Sequence, residues 1–370
     1  MGYGIASTGD VLVNKLADGT DLQAIWKTIG DALDVWNDER ASVARLLSFP
    51  TVNSADVVPQ RLNAFEFEKA SEFGVPVGVS PQKDFEKLGN TIDDFDLRTP
   101  FTWRFLRTAD RRQVLSIVND VLAADSKKVN GSVIKRILNP APELNDFGQT
   151  CYGLWNGDGM VPLPHMGVAF DGNHTHYIAS GATQLDSADV EDAVAHIVHH
   201  GYGVSATSQI LILANPVDGQ YIQGWRAGVE SRASGPKAKY DFVRSPIAPA
   251  FLTQDHIQGR QAPADYQGLP VQGSYGRGWL IESNYVPAGY VIVAASGGPD
   301  SDTNPVALRS HTDPAYQGLL RIPGNGKYPL VESFFVRTFG VGTRHRSAAV
   351  AIQVTASSTY TAPADSLIFV

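Results

Sequence analysis

The chain has 370 residues, of which 43% are hydrophobic and 18% are charged, and its formal net charge is −8. This composition is typical of a folded globular protein and excludes an intrinsically disordered chain. The negative charge argues against a surface built to hold a nucleic-acid backbone, and the single cysteine, Cys151, excludes an intramolecular disulfide. No apolar run reaches the length of a membrane span.

The first 60 residues are predicted to form an arm that carries an amphipathic helix. Residues 1–19 show no periodic pattern, and a helix is expected from Asp21 until Pro50 ends it. Its apolar positions recur at helical spacing and are Leu22, Ile25, Trp26, Ile29, Leu33, Trp36, Val43, Leu46 and Leu47. A helix with two tryptophans needs an apolar partner surface, either in this subunit or in a neighbour.

Residues 61–106 are predicted to form a long two-stranded hairpin. Aromatic and charged residues alternate at Phe65–Glu68 and again at Asp94–Phe105, which is the period of a β-strand. The tip, Gly74–Asn90, is polar and offers little core of its own. Because an isolated ribbon is marginal in water, we expect it to lie on another surface. Two strands of an ordinary sheet, joined by a surface loop, are the alternative.

A long helix is predicted at Thr108–Leu138. Its apolar stripe consists of Val114, Val118, Val121, Leu122, Val129, Val133 and Ile137. Thr108 is a candidate cap, Asp110 suits the positive end of the helix dipole, and Pro140 follows the end. Gly131 could kink or shorten the helix.

The rest of the chain alternates helices and strands, which predicts a mixed α/β domain. The predicted elements are a helix at Ser187–His200, a buried strand at Gln209–Pro216, a short helix at Asp218–Ala227, strands between 269 and 295, and two strands within Phe334–Thr355. The last two strands are expected to flank Gly340–Gly342. The most loop-like pieces are Ser231–Lys239 and Ser296–Asn304.

Histidines are the strongest candidates for chemistry, and they are His174, His176, His196, His199 and His200. Two of them lie one helical turn apart, a spacing that can hold a transition metal. The zinc-protease pattern, however, requires a glutamate where Ile197 stands, and histidines before Gly201 also suit a helix C-terminus. We therefore expect these histidines to be dispersed or only to end the helix, and we predict no metal, no cofactor and no catalytic residue.

Other motifs give no catalytic constellation. The glycine-rich piece Gly273–Gly278 lacks the strand and helix that flank a dinucleotide loop. Cys151 is interpreted as a small buried residue, and no serine has the context of a nucleophile elbow. Arg344 and Arg346 are flanked by strand residues and are interpreted as subunit contacts.

The order of these pieces resembles the tailed-bacteriophage major capsid proteins of the Hong Kong 97-type fold. That family has an N-terminal arm, an extended β-hairpin loop, a peripheral domain with a long spine helix, and an α/β axial domain. The stretches LVNKLADGTDLQAIW, SGPKAKYDF and SFFVRTFGVGTRHRSAAVAIQVT look especially similar to capsid proteins from phages of actinobacterial hosts. The resemblance covers essentially the whole chain.

The resemblance implies an α+β fold and a division into parts along the chain. These parts are the N-terminal arm (1–60), the extended hairpin loop (61–106), the peripheral domain with its spine helix (107–184), the axial domain (185–333), and the return to the peripheral domain with a C-terminal tail (334–370). The implied protein is a major capsid protein, not an enzyme. It would assemble in the host cytoplasm, as pentamers and hexamers, into the icosahedral shell that encloses double-stranded DNA in the virion.

The resemblance also bears on partners. Separate scaffold, portal and cement proteins are possible partners, DNA would be packaged without specific binding, and no membrane is involved. One alternative is an encapsulin-type nanocompartment shell. The alternative from another class is a metal-dependent hydrolase that uses the cluster His174, His176, His196 and His200.

Intersubunit contacts are expected where the ribbon of one subunit lies along the peripheral domain of the next. The candidate contact residues are Glu66, Glu68, Glu72, Asp93, Asp94, Asp96, Arg111, Arg112, Lys127, Lys128, Arg337, Arg344 and Arg346. At least one of the loops Ser231–Lys239 and Ser296–Asn304 is expected near a symmetry axis.

Overall fold

The computed structural model describes residues 15–38, 42–60, 69–70, 72, 74–75, 85–162, 164–168, 170, 172–245, 263–324 and 330–368. Its helices are Leu22–Asp38 (α1), Val43–Leu47 (α2), Trp103–Leu106 (α3), Arg111–Leu138 (α4), Ser187–His199 (α5) and Pro216–Gln223 (α6). No helix within these ranges is long and apolar enough to cross a membrane.

Strands make up the remainder of the regular structure. They are Ser48–Thr51 (β1), Ala55–Pro59 (β2), Phe85–Gly89 (β3), Asp93–Thr102 (β4), Glu143–Leu144 (β5), Thr150–Cys151 (β6), Tyr177–Ala179 (β7), Gln209–Ala214 (β8), Phe242–Arg244 (β9), Asp265–Tyr266 (β10), Leu269–Pro270 (β11), Gly273–Tyr275 (β12), Gly278–Glu282 (β13), Tyr290–Ser296 (β14), Val306–Ser310 (β15), Leu319–Pro323 (β16), Leu330–Thr343 (β17) and Ala349–Gln353 (β18). This mixture of helices and sheets confirms the α+β class.

The chain divides into two compact units. Unit 1 comprises Met1–Arg40, Ile92–Val129 and Ser310–Phe339, and unit 2 comprises Ala41–Thr91, Asn130–Arg309 and Gly340–Val370. The long helix α4 begins in unit 1 and ends in unit 2. The five-part division implied by the resemblance stays a prediction.

Unit 1 is built from the two long helices and a sheet in which β17 lies between β16 and β4. Its core is apolar and includes Leu22, Ile25, Ile29, Leu33, Phe101, Val114, Val118, Val121 and Phe335. Trp26 belongs to this core, with its ring centroid 5.9 Å from that of Phe101. The indole of Trp36 donates to Asp125 at 3.0 Å. Both tryptophans of the first helix are therefore held by this subunit.

Helix α4 confirms the predicted apolar stripe, but it begins later than expected. Asp110 is its N-cap, because the Asp110 carboxylate accepts from the Gln113 amide while the Gln113 side chain accepts from the Asp110 amide. Thr108 lies before this capping box and does not cap the helix. Gly131 does not end the helix, which continues to Leu138 and spans about 42 Å.

The second predicted arm of the hairpin is a strand of the unit 1 sheet. β4 pairs antiparallel with β17 over its whole length, with Phe95 opposite Arg337 and Phe101 opposite Val331. The ordinary-sheet alternative is therefore right for this arm. The last aromatic residues of the predicted arm, Trp103 and Phe105, lie in helix α3 instead of extending the strand. The first predicted arm, Phe65–Glu68, lies outside the described residues.

A ribbon does exist, but between other residues. β2 pairs antiparallel with β3, with Ala55 opposite Gly89 and Pro59 opposite Phe85. The end of the predicted tip is not coreless, because Leu88 and Asn90 are 1% exposed. Deleting Gly74–Asn90 would consequently remove part of unit 2.

Unit 2 is organised on a seven-stranded mixed sheet in the order β7–β18–β14–β8–β13–β12–β9. Strands β8 and β14 are buried along almost their whole length, and α5 and α6 pack on this sheet. Helix α5 begins with a capping box of Asp186 and Asp189. The helix predicted at Ser187–His200 and the buried strand at Gln209–Pro216 are confirmed.

The glycines at Gly340–Gly342 do not separate two strands as predicted. β17 runs through them to Thr343, and the chain turns only before β18. Gly342 allows a close approach, because a Cβ at this position would collide with the Asn90 side chain.

Candidate functional site

The acidic contact candidates fall into three groups. Glu66 and Glu68 lie outside the described residues, and Glu72 is exposed. Asp93, Asp94 and Asp96 project from β4 and are also exposed, and the Asp94 carboxylate accepts from the Thr338 hydroxyl at 2.5 Å. These strand residues thus lie on the sheet of their own subunit, with side chains that solvent can reach.

The basic candidates on α4 are mostly exposed as well. Arg111, Arg112 and Lys127 point to solvent. Lys128 is half-buried, and its Nζ lies 4.1 Å from the centroid of the Phe95 ring. This cation–π contact joins α4 to β4 within unit 1.

The strand arginines are held within their own units. Arg337 forms a buried ion pair with Asp125, with Nη1 and Oδ2 3.2 Å apart. Arg344 places its guanidinium carbon 5.2 Å from the centroid of the Phe49 ring in unit 2.

Arg346 is the clearest correction among the contact candidates. Its side chain is fully buried and forms an ion pair with Asp158. It also donates to the carbonyl oxygens of Gly153 at 2.8 Å and Leu154 at 3.3 Å, and to that of Met160. The expectation of a subunit contact is wrong for Arg346, because its guanidinium organises the loop that contains these residues.

The outer face of the β2–β3 ribbon exposes two apolar side chains, and the exposed Lys87 lies on the same face opposite one of them. Val57 and Phe85 are 58% and 54% exposed. On the other face of the ribbon, Val58 and Leu88 are buried together with Met160. The two strands read ADVVP and FEKLG and do not alternate apolar with polar residues, so period-two patterning gives no sign of this ribbon.

The two predicted axial loops are ordered by their own unit. Ser231–Lys239 is closed by the Ser231 amide, which donates to the Pro236 carbonyl at 2.9 Å. In the loop Ser296–Asn304, the buried Asn304 side chain donates to the carbonyl oxygens of Ser48 at 2.8 Å and Gly298 at 2.9 Å. Neither loop is therefore a simple mobile connection. Their place relative to a symmetry axis stays a prediction.

The histidines converge, and the expectation of a dispersed set is wrong. One ring nitrogen from each of His174, His176 and His200 lies within 4.8 Å of the others. The Nε2 atoms of His174 and His200 are 2.9 Å apart, and the His196 ring centroid is 4.4 Å from that of His174. Because β7 pairs with β18, on which α5 packs, the segment before β7 meets the end of that helix.

His176 is the most enclosed member of this cluster. Its Nδ1–H donates to the Ala349 carbonyl at 2.7 Å, which leaves the lone pair on Nε2. Burial lowers the pKa of His176 well below its ordinary value, and that of His196 is lowered by the same cause. The His176 ring is therefore neutral near pH 7, which is the form that can donate electrons to a cation.

Cys151 fits the interpretation as a small buried residue. Its side chain is fully buried, and burial raises the pKa of the thiol to about 11. A thiol in this state is a poor nucleophile near neutral pH.

Comparison with solved structures finds a relative that matches nearly the whole chain. A chain from Mycobacterium phage Patience is 36% identical to this one, and the alignment covers 98% of this chain and 96% of the phage chain with a TM-score of 0.70. No protein-family model and no curated protein matches the sequence.

Two further similarities are weaker. A chain from the mature capsid of bacteriophage PhiM1 is 12% identical over 86% of this chain and 88% of its own, with a TM-score of 0.46. The SrpI encapsulin of Synechococcus elongatus PCC 7942 is 13% identical over 85% of this chain and 88% of its own, with a TM-score of 0.42. Similarities at this level do not distinguish one kind of shell from another.

The chain has the α+β architecture around a long helix, and it is related over nearly its full length to a mycobacteriophage protein. This relation favours a phage capsid protein over the encapsulin-type alternative. The chain belongs to the tailed-bacteriophage major capsid proteins of the Hong Kong 97-type fold.

Proposed function

We propose that this capsid subunit assembles into pentamers and hexamers that close into an icosahedral shell, and that assembly takes place in the host cytoplasm. Heterologous contacts, in which one patch of a subunit meets a different patch of the next, form rings when the rotation closes. A single sequence can supply both ring sizes through such contacts. Shell building needs repeated interfaces and no chemical step, so we assign the subunit no enzymatic activity.

The observation that carries this proposal is the outer face of the β2–β3 ribbon. Val57 and Phe85 lie on this face and expose more than half of their surface, although the ribbon is anchored on its other side. Burying a valine or phenylalanine side chain contributes roughly 1.5–3 kcal/mol. Because the two side chains are already nearly half-buried, a neighbouring copy that covers the face would gain about half of this contribution for each of them at every repeat of the shell.

The charged candidates add a second, weaker contribution. An exposed ion pair contributes only about 0–1 kcal/mol, so such pairs act through their repetition around a shell. We propose that the exposed members of the predicted set form pairs between subunits. They are Glu72, Asp93, Asp94, Asp96, Arg111, Arg112 and Lys127.

Charge also bears on the contents of the shell. A subunit with a net charge of −8 supports an inner wall that repels DNA and so leaves it free to be packed and released. We propose that DNA is enclosed without specific binding.

Scaffold, portal and cement proteins would be separate partners. Residues 185–333 would form the axial domain, with Ser231–Lys239 or Ser296–Asn304 near a symmetry axis.

Point variants on the ribbon test the proposal. Replacing Val57 and Phe85 together by threonine removes apolar surface while keeping residues that favour strands. We expect this variant to fold with an unchanged thermal unfolding midpoint and to fail to form particles, as measured by sedimentation velocity and negative-stain electron microscopy. Deleting Gly74–Asn90 would not test the proposal, because the deletion removes β3 and the buried Asn90 and so disturbs the fold itself.

The matched control keeps both side chains apolar. Replacing Val57 by isoleucine and Phe85 by leucine should preserve assembly. Normal particles from the threonine variant, at wild-type subunit concentration, would show that the outer face of the ribbon is not an assembly surface.

A further inference from the structure

The histidine cluster lies entirely within unit 2, where a short segment approaches the end of a helix. His174 and His176 lie just before β7, and His200 is the C-cap of α5. Their ring centroids are 4.9–5.3 Å apart. His200 follows His176 by 24 positions in the chain, yet the three imidazoles share one small volume. The spacing of histidines on one helix would not by itself bring them together.

The orientation of His176 is the first argument for a cation. A ligating histidine almost always donates its other ring N–H to a carboxylate, a backbone carbonyl or water, which fixes the tautomer. His176 does this through Nδ1 and the Ala349 carbonyl. Among the residues that the structure describes, its buried Nε2 has no hydrogen-bond partner. A buried lone pair without a partner is unfavourable, and a metal ion would satisfy it.

The distance between His174 and His200 is the second argument. Two nitrogens bound tetrahedrally to zinc at about 2.0–2.1 Å lie roughly 3.3 Å apart. The observed 2.9 Å between their Nε2 atoms requires these rings to separate by only a few tenths of an ångström. Half-buried His174 leaves a path to solvent, whereas His176 and His200 are almost fully enclosed.

The ligand set indicates the class of ion. The group of potential ligands found in the described part of the chain is made of imidazoles alone, with no carboxylate. Neutral imidazole suits zinc, nickel and copper, whereas magnesium and calcium prefer oxygen ligands. A stack of neutral histidines is the competing explanation. It accounts for the contact between His174 and His200 but leaves Nε2 of His176 unsatisfied.

We propose that His174, His176 and His200 bind a divalent transition-metal ion, best matched by Zn²⁺, which joins the segment before β7 to the C-terminal end of α5. Water would take the fourth position, on the side of His174. The ion would have a structural role in the capsid subunit and would act within a single chain. The inference therefore stands or falls independently of the assembly proposal.

Zinc binding to the untagged, chelator-treated chain tests the inference. Titration calorimetry with ZnCl₂ and elemental analysis after gel filtration should show roughly one ion per chain, as expected for a single site. Replacing His174 by glutamine should weaken binding by at least about 100-fold, because losing an outer-shell partner alone typically weakens metal affinity 10–100-fold. X-ray absorption should show three nitrogen ligands from histidine.

His199 provides the matched control, because it lies beside His200 on the same helix end and is exposed. Replacing His199 by glutamine should leave zinc affinity unchanged. His174 is half-buried, so its variant is expected to fold, and an unchanged far-ultraviolet circular dichroism spectrum would establish this. Equal zinc affinity in the two variants, or no retained zinc in the wild-type chain, would overturn the proposal and leave a stack of neutral histidines.

Discussion

Asp125 and Arg337 form a buried ion pair in unit 1, with 3.2 Å between the carboxylate and guanidinium atoms. Their side chains are 3% and 13% exposed, and the Trp36 indole donates to the same carboxylate oxygen at 3.0 Å. Asp125 lies on α4, Arg337 on β17 and Trp36 on α1, so three elements of unit 1 meet at one charge. Both donors compensate the carboxylate for its lost hydration.

Replacing Asp125 by alanine should destabilise the subunit by about 3 kcal/mol, because it leaves the Arg337 charge buried without its partner. Urea unfolding of the unassembled subunit, followed by tryptophan fluorescence, measures this loss. The pair between Arg98 and Glu332 in the same sheet is the control, since its arginine is half-exposed. Replacing Glu332 by glutamine should lose less than about 1 kcal/mol. Equal losses in the two variants would contradict a stabilising role for the buried pair.

Arg346 should not tolerate the conservative change to lysine. A lysine ammonium cannot reproduce the fork of N–H groups that contacts Asp158 and three backbone carbonyls. We expect a loss of about 3 kcal/mol or more in the same unfolding measurement, because hydrogen bonds to charged groups each contribute about 1.5–3 kcal/mol. Replacing Arg344 by lysine should lose less than about 1 kcal/mol, since a lysine can keep the cation–π contact with Phe49. A mild effect of the Arg346 change would show that its buried contacts are weak.

Local sequence patterns predicted where helices and strands lie better than they predicted which elements contact one another. The apolar stripe of α4 and the acidic start of α5 follow from three- and four-residue spacing and capping chemistry, which act within a few residues. The alternation around Phe95 and Phe101 identified a strand correctly. It could not identify β17 as the partner, because alternation is the same whichever strand lies alongside.

In the candidate site, too, local patterns did not predict contacts between residues that are far apart in the sequence. The spacing of His196 and His200 was visible, but the approach of His174 and His176 depends on the pairing of β7 with β18. The interpretation of Arg346 as a subunit contact is wrong because its partner, Asp158, lies 188 positions earlier in the chain and no local pattern links the two residues. Contacts of this kind come from topology, which the sequence pattern alone does not determine.

His345 should make the subunit sensitive to acid. Tyr202 donates to its Nδ1 at 2.9 Å, and its Nε2 donates to the Asp302 carbonyl at 2.7 Å, so the neutral ring is satisfied on both sides. Burial lowers the pKa of His345 to about 4 from its ordinary value of 6.5. The unfolded chain therefore takes up this proton at a higher pH than the folded chain does. The contribution of neutral His345 to the stability of the subunit is fully present above pH 6.5 and is lost as the pH drops toward 4.

The size of this effect can be measured with variants of His345. At pH 5 the lowered pKa of His345 corresponds to about 2 kcal/mol of lost stability relative to pH 8. Glutamine and asparagine at position 345 each imitate one ring nitrogen and cannot titrate. Whatever their absolute stability, both variants should lose less than the wild type between pH 8 and pH 5 in urea unfolding. Parallel losses in all three proteins would rule out His345 as the titrating group.

The central claim is that this chain builds a closed shell from copies of itself. The most direct measurement is electron microscopy of the purified, untagged protein over a range of concentrations, with sedimentation velocity on the same samples. We predict rings of five and six subunits and closed icosahedral particles, whose fraction rises with subunit concentration. A protein that stays monomeric at every concentration, with its fold intact by circular dichroism, would contradict the account.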